Sequence, residues 1–255
     1  MYGRYHFHLH HNPFKRLVYG VLGGPRISDW IRFWNVRRVL KRLNVSGALQ
    51  VLDAGCGQGF YSIMLAESFP AAAITAVDED PTLIKRLQKM ARAMGLRLIS
   101  TSTADLGGYI PKNKFNLICC VDVMEHIIDH DAVFCNIASW LAPGGTLILH
   151  VPQKNQKFMF LKRSHGGDDP HCREGYDLPE LKAKLELQGL KLIFYKHTFG
   201  RLAGMAVELD EILWESHLYP VWLLFYPLFL SIAVWDIDHQ WKQGQGIIIA
   251  AQSNV

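Results

Sequence analysis

The stretch VLDAGCGQGF, Val51 to Phe60, decides how the rest of this chain is read. Its three glycines, Gly55, Gly57 and Gly59, stand at alternate positions after an apolar run and an aspartate, Asp53. The run reads as a buried strand, and GFYSIMLAESF (59–69) after it reads as a helix. Glycine has no Cβ, so a turn of this kind lets the backbone come close to a ligand at a helix N-terminus.

Outward from that turn, β-rich and helical segments alternate. QVLDAG, AAITAVD, LRLIST, FNLICCVDV, GTLILHVP, LKLIFYKHTF and GIIIAAQS read as seven strands. Helical sequence lies between the earlier ones: PTLIKRLQKMARAMG, the stretch 129–141 and LPELKAKLELQG. Apolar strands separated by helices predict an α/β fold, a doubly wound and mostly parallel seven-stranded sheet with helices on both faces. Ligands of such sheets sit at the carboxyl ends of the strands, where Gly55–Gly59 fall. Before the sheet, 13–24 and 28–43 read as two short helices, the second basic and amphipathic with Ser28 as N-cap. A helix packed on the domain and a membrane-surface helix both fit it. The expected division is an N-terminal helical segment, 1–44, capping the pocket, and a main domain, 45–255.

Composition narrows the partners. The 255 residues carry a net charge of +4, half are apolar, and no long basic run or broad basic groove argues for nucleic acid. Cys56, Cys119, Cys120, Cys135 and Cys172 form no C-x-x-C pair, as expected of a reducing cytoplasm. The opening residues lack an early apolar run, so no secretory signal is expected. Their His6, His8, His10 and His11 read as a solvated tail, since no cysteine or carboxylate accompanies them, and no metal site is expected.

Two ligand classes use a glycine turn after a first strand. The dinucleotide fingerprint needs a small third residue, where this chain has the bulky Phe60, which argues against a nicotinamide oxidoreductase. The pattern D-x-G-x-G-x-G instead resembles motif I of the class I S-adenosylmethionine-dependent methyltransferases. ITAVDED around Asp78, TSTAD ending at Asp105, the segment DVMEHIID from Asp122 and LAPGGTLIL (141–149) resemble their later motifs, over about residues 45–153. The resemblance implies S-adenosylmethionine as cofactor. Asp53, Gly55, Cys56, Gly57 and Gly59 would form the turn at its methionine end, Asp78 and Glu79 the ribose site, Asp105 and Leu106 the adenine site. Asp122 would lie nearest the methionine moiety. A carboxylate suits a ribose diol because it accepts two hydrogen bonds.

On the acceptor side, DVMEHIID resembles a segment of quinone-biosynthesis methyltransferases and places Glu125 and His126 at the pocket. A histidine can exchange a proton near neutral pH, so His126 could take a hydroxyl proton, or could simply hold the loop. HCREGY (171–176) resembles a segment of bacterial relatives and would bring His171, Arg173 and Tyr176 to the acceptor mouth. Arg173 suits an anionic substrate group, or an acid of the fold itself. These residues imply methyl transfer to a small molecule, hydrophobic or anionic, more readily on oxygen than on nitrogen or carbon. A cofactor-binding scaffold without turnover and a membrane-associated lipid-modifying methyltransferase are the alternatives.

Before the last strand the chain inserts about 45 residues (201–243), including LYPVWLLFYPLFLSIAVW (218–235), which carries no charge over eighteen positions. That is long enough for a membrane span. Pro220, Pro227, Asp236 and the return to a strand favour instead a hydrophobic helical lid covering the pocket, or a peripheral membrane contact.

Overall fold

The computed structural model describes residues 26–43, 49–161 and 172–254. The expected helix at 13–24, the N-terminal histidines and His171 lie outside them. In chain order the elements are α1 (Ile27–Arg42), β1 (Gln50–Ala54), α2 (Phe60–Ser68), β2 (Ala73–Asp78), α3 (Pro81–Ala93), β3 (Ile99–Thr103) and β4 (Phe115–Val121). Then come a 3-10 turn (Met124–His126), α4 (His130–Trp140), β5 (Leu141–Pro152), α5 (Leu178–Leu187), β6 (Leu190–Thr198), α6 (Arg201–Glu215), α7 (Tyr219–Asp238) and β7 (Gly246–Ser253).

The seven strands form one sheet in the order β3-β2-β1-β4-β5-β7-β6. All neighbours run parallel except β7, which inserts antiparallel between β5 and β6. The fold class predicted from the alternation therefore holds. The order reverses between β1 and β4, so the crevice above their carboxyl ends is the place for a ligand. The cause is visible in the strands themselves: β1 and β4 are buried on both faces, and only helices stacked above and below can cover them.

Ser28 does not cap α1. The cap position is Arg26, without a side-chain hydrogen bond, and Ser28 lies within the first turn. Asp177 does cap α5, accepting from the Glu180 N–H at 2.8 Å. The helix α1 joins two cores. Phe33, Val36, Val39 and Leu40 pack on the sheet with Val51, Leu65 and Ile248. Ile27 and Ile31 pack instead with Ala203, Trp222, Tyr226 and Phe229 of α6 and α7. Full burial of each such side chain contributes about 2 kcal/mol, so α1 is the fastening between the inserted helices and the sheet.

Buried carboxylates complete that fastening. Asp210 of α6 accepts from the Ile27 N–H (3.2 Å) and the Trp222 indole (2.8 Å). Burial pushes its carboxyl up to about 6, against those hydrogen bonds. Asp236 at the end of α7 accepts from the Phe199 and Gly200 N–H groups at 3.2 and 2.7 Å. Lys196, pushed down to about 8 by burial, gives its donors to Asn35 Oδ1 and to the carbonyls of Asp236 and Ile237.

Candidate functional site

Two cavities open at the carboxyl edge of the sheet. One, of about 690 Å³, is lined by Gly55, Gly57, Asp78, Glu79, Asp105, Leu106, Asp122 and His126, together with Ile128 and Val133. The other, of about 510 Å³, is lined by Arg26 before α1, by Asp29 and Arg32 of α1, by Glu125, His126 and His150, and by Phe199, Glu208 and Glu211. Asp122 and His126 belong to both walls. Two volumes of small-molecule size meeting at shared residues suit two ligands held side by side.

The glycine turn divides its labour. Gly55 and Cys56 donate to the Val77 carbonyl at 2.9 and 2.8 Å, which bends the chain off β1. Gly57 has φ +51°, and a Cβ built there meets nothing within 4 Å, so its backbone is open to the first cavity. Its N–H donates to Asp78 Oδ2 at 2.7 Å, while Asp78 Oδ1 accepts from the Asp80 N–H at 3.0 Å. Each Asp78 oxygen keeps a further lone pair for a ligand hydroxyl. Gly59, at φ +83°, faces away: a Cβ there would stand 2.3 Å from Leu87 Cδ1 of α3. Gly59→Ala is accordingly expected to cost about 2–4 kcal/mol of stability through backbone strain and overpacking. Gly57→Ala should cost only about 1 kcal/mol and weaken ligand binding instead. Thermal melts of the two variants beside ligand titrations separate these effects.

Three residues expected at the cofactor thus turn out not to face it. Gly59 serves the packing of α2 on α3. Asp53 is buried and accepts from Ser62 Oγ at 2.5 Å, locking β1 to α2; burial raises its carboxyl to about 7 against that hydrogen bond. Cys56 lies in the small core with Ile63, Ala76 and Leu87, and burial raises its thiol.

On the acceptor side the corrections are larger. Tyr176 is wholly buried, its hydroxyl donating to the Met124 carbonyl at 3.3 Å, and it does not line either cavity. Arg173 lies over the Tyr176 ring, 3.8 Å from its centroid, and donates to Glu180 Oε1 at 2.6 Å, so its charge is used within the fold. The expected apolar lid is also absent from the second cavity: α6 contributes Val207, Glu208 and Glu211, and α7 contributes nothing. The walls are mostly polar or charged. Glu208 holds the facing segment in place by accepting from the N–H groups of Met159, Phe160 and Leu161 at 2.7–3.1 Å.

Sequence reasoning missed Arg32 and His150. At the end of β4, Asp122 adopts φ +51°, unusual for a residue with a side chain, and its N–H donates to the His150 carbonyl. Its carboxylate pairs with Arg32 Nε through one oxygen and lies 2.5 Å from His150 Nδ1 through the other. His150 Nε2 in turn meets Thr198 Oγ1 at 3.0 Å. Burial opposes charge on Asp122, but Arg32 and then His150 outweigh it and hold the carboxyl at about 2. A fixed carboxylate therefore stands where the cavities join. The available signal for His150 was a lone titratable residue inside the apolar run LILHVP.

Comparison with known proteins agrees with this geometry. Residues 51–145 match the family model described as a methyltransferase domain. Over 113 residues the chain is 36% identical to the ubiquinone biosynthesis O-methyltransferase of Xanthomonas euvesicatoria pv. vesicatoria (strain 85-10), covering 44% of this chain and 46% of that protein. The chain thus spans about half the length of the curated relative it matches. Among solved structures, phosphoethanolamine N-methyltransferase 2 of Haemonchus contortus, in complex with S-adenosyl-L-methionine, aligns with a TM-score of 0.64 at 16% identity over 87% of this chain and 52% of that one. The [4+2]-cyclase SpnF aligns at 0.58 and 20% identity over 88% and 81%. Residues 51–145 thus resemble a methyltransferase domain, and the chain shares the fold of the class I S-adenosylmethionine-dependent methyltransferases. The cofactor of that class is S-adenosylmethionine, and the open backbone at Gly57 beside the Asp78 carboxylate fits it.

Proposed function

We propose that this protein transfers a methyl group from S-adenosylmethionine to a hydroxyl of a small-molecule acceptor. The observation that carries the proposal is the pair of cavities meeting at Asp122 and His126. When bound, the cofactor supplies an electrophilic methyl on a cationic sulfonium. Gly57 and Asp78 bind it in the first cavity, which Asp105 and Leu106 also line. His126, exposed and common to both walls, is placed to take the acceptor's proton. Holding the two partners in line supplies most of the acceleration, because the methyl donor is already reactive. The charged second cavity suits the polar, reacting end of an acceptor, and the oxygen preference is supported by the O-methyltransferase relative.

The test supplies methyl-labelled cofactor to the protein with candidate hydroxyl acceptors and partitions the products between water and organic solvent. Labelled ether product in the wild type, reduced about a hundredfold or more in His126→Ala at unchanged cofactor affinity, is the expected result. Cofactor binding without any transferred label would favour a scaffold, and a cyclase within the same fold shows that this architecture hosts other chemistry.

A further inference from the structure

The inserted helix α7 is apolar on every side, yet only a third of it is buried, mainly through Trp222, Tyr226, Phe229 and Ala233. A helix apolar all round is normally a buried one. Here Leu224 is 74% exposed, Leu223 and Leu228 about half exposed, and Val221, Phe225 and Trp235 beside them are 40–44% exposed. At 100° per residue, the exposed residues from Leu223 round to Phe225 cover an arc of about 200°. Two polar side chains lie on that arc: Ser231, whose hydroxyl donates to the Pro227 carbonyl at 2.8 Å, and Asp238 at the last residue, which pairs with Arg38.

We propose that this face docks the protein onto the surface of an anionic lipid bilayer, with α7 lying in the plane of the membrane. The width of the arc argues for lipid over a second copy of the chain. One partner helix covers a stripe of about 100°, whereas a fluid acyl phase wets the whole arc. Charge complements it at one end. Arg38 donates to the Ile237 carbonyl at 3.0 Å and pairs with Asp238, Arg42 lies over Phe194, and Lys41 is exposed on the same basic helix. Arg38 and Arg42 line a cavity of about 320 Å³ against the end of α7. Cations beside an apolar face are what anionic headgroups select, at about 1 kcal/mol each. Trp235 and Trp241, 5.0 Å apart, stand at that same end, where amphipathic rings favour the interface.

The helix is long enough to span, but spanning would strip Trp222 from Asp210 and Asp236 from the Gly200 N–H, both buried bonds. It would also detach the α1 contacts with Tyr226 and Phe229. Lying flat keeps them all.

Co-sedimentation of the full chain with phosphatidylcholine vesicles, with and without about 30% phosphatidylserine, tests the proposal. The wild type should partition onto the anionic vesicles. Leu224→Glu with Leu228→Glu should bind at least about tenfold more weakly, and Lys41→Glu with Arg42→Glu should lose the preference for anionic lipid. Leu224→Ser with Leu228→Ser removes apolar area without adding charge, should also weaken binding, and serves if the first pair disturbs the fold. Unchanged thermal melting and cofactor binding identify folded variants. Wild-type protein that ignores vesicles, or folded variants that bind as the wild type does, overturn the proposal. A wild-type mass of twice 29.0 kDa by light scattering, halved by the leucine substitutions, overturns it in favour of a second copy.

Discussion

Asp78→Ala is expected to lower S-adenosylmethionine affinity about a hundredfold, with little change in the acceptor cavity. The carboxylate stands at the carboxyl end of β2 on the wall of the first cavity, where each oxygen already accepts one backbone N–H and can accept a hydroxyl. Hydrogen bonds to a charged partner contribute about 1.5–3 kcal/mol each, and two shared with a ribose diol, at the lower figure, correspond to roughly two powers of ten. Alanine also frees the Gly57 and Asp80 N–H groups, so part of the loss would come from a loosened turn. Asp78→Asn keeps more of the turn than alanine does, because its amide oxygen still accepts from Gly57, while its NH₂ can accept from neither the Asp80 N–H nor a second hydroxyl. Calorimetric titration should rank wild type above Asn and Asn above Ala, with all three melting within a few degrees. An affinity indifferent to both substitutions would remove Asp78 from the ribose site and reopen the assignment of the first cavity.

The lining of the first cavity was legible in sequence because its residues are local. Gly55, Gly57 and Asp78 follow strand ends at short spacings, and strand ends are where an α/β sheet holds its ligands. The same locality misled within the turn. Asp53, Cys56 and Gly59 belong to the motif, yet they point toward Ser62 and the α2–α3 packing, since successive residues of a tight turn face opposite ways. The acceptor half is assembled from residues far apart in the chain. Arg32 meets Asp122 across 90 positions and His150 meets Thr198 across 48, and no local pattern announces either. Tyr176 shows the converse, a residue in a suggestive segment that packs into the core beside Phe134 and His130. The insertion was recognised by composition, but composition does not say which way an all-apolar helix faces. Tertiary packing turned α7 outward and left the cavity to the charged side of α6.

Arg32→Met tests the long-range pairing most severely. Arg32 and Asp122 keep 27% and 22% of their side-chain surface, so the pair is partly screened, yet removing the cation leaves Asp122 facing a largely desolvated site with His150 alone. Breaking such a pair from one side costs about 3–5 kcal/mol when fully buried, and the residual exposure reduces this to about 2–3 kcal/mol. For a chain of this size that is a fall in melting temperature of about 4–12 °C. The pH dependence identifies the cause. Asp122 is held at about 2 in the folded protein, below its unfolded value of about 3.9. Its contribution is therefore complete above about pH 4 and lost as the pH falls through 2. Without Arg32 the folded carboxyl rises, so the variant's deficit should be largest at neutral pH and shrink as acid protonates Asp122. Adding Asp122→Asn to Arg32→Met should recover about half of the loss, since the orphaned charge disappears with it. Methionine preserves much of the arginine stem but forfeits its contact with the Phe199 ring, 5.2 Å from the guanidinium carbon. A deficit that stays constant as the pH falls from 7 to about 2 and is unrelieved by Asp122→Asn would assign the loss to that packing, and Asp122 would then need another source for its charge.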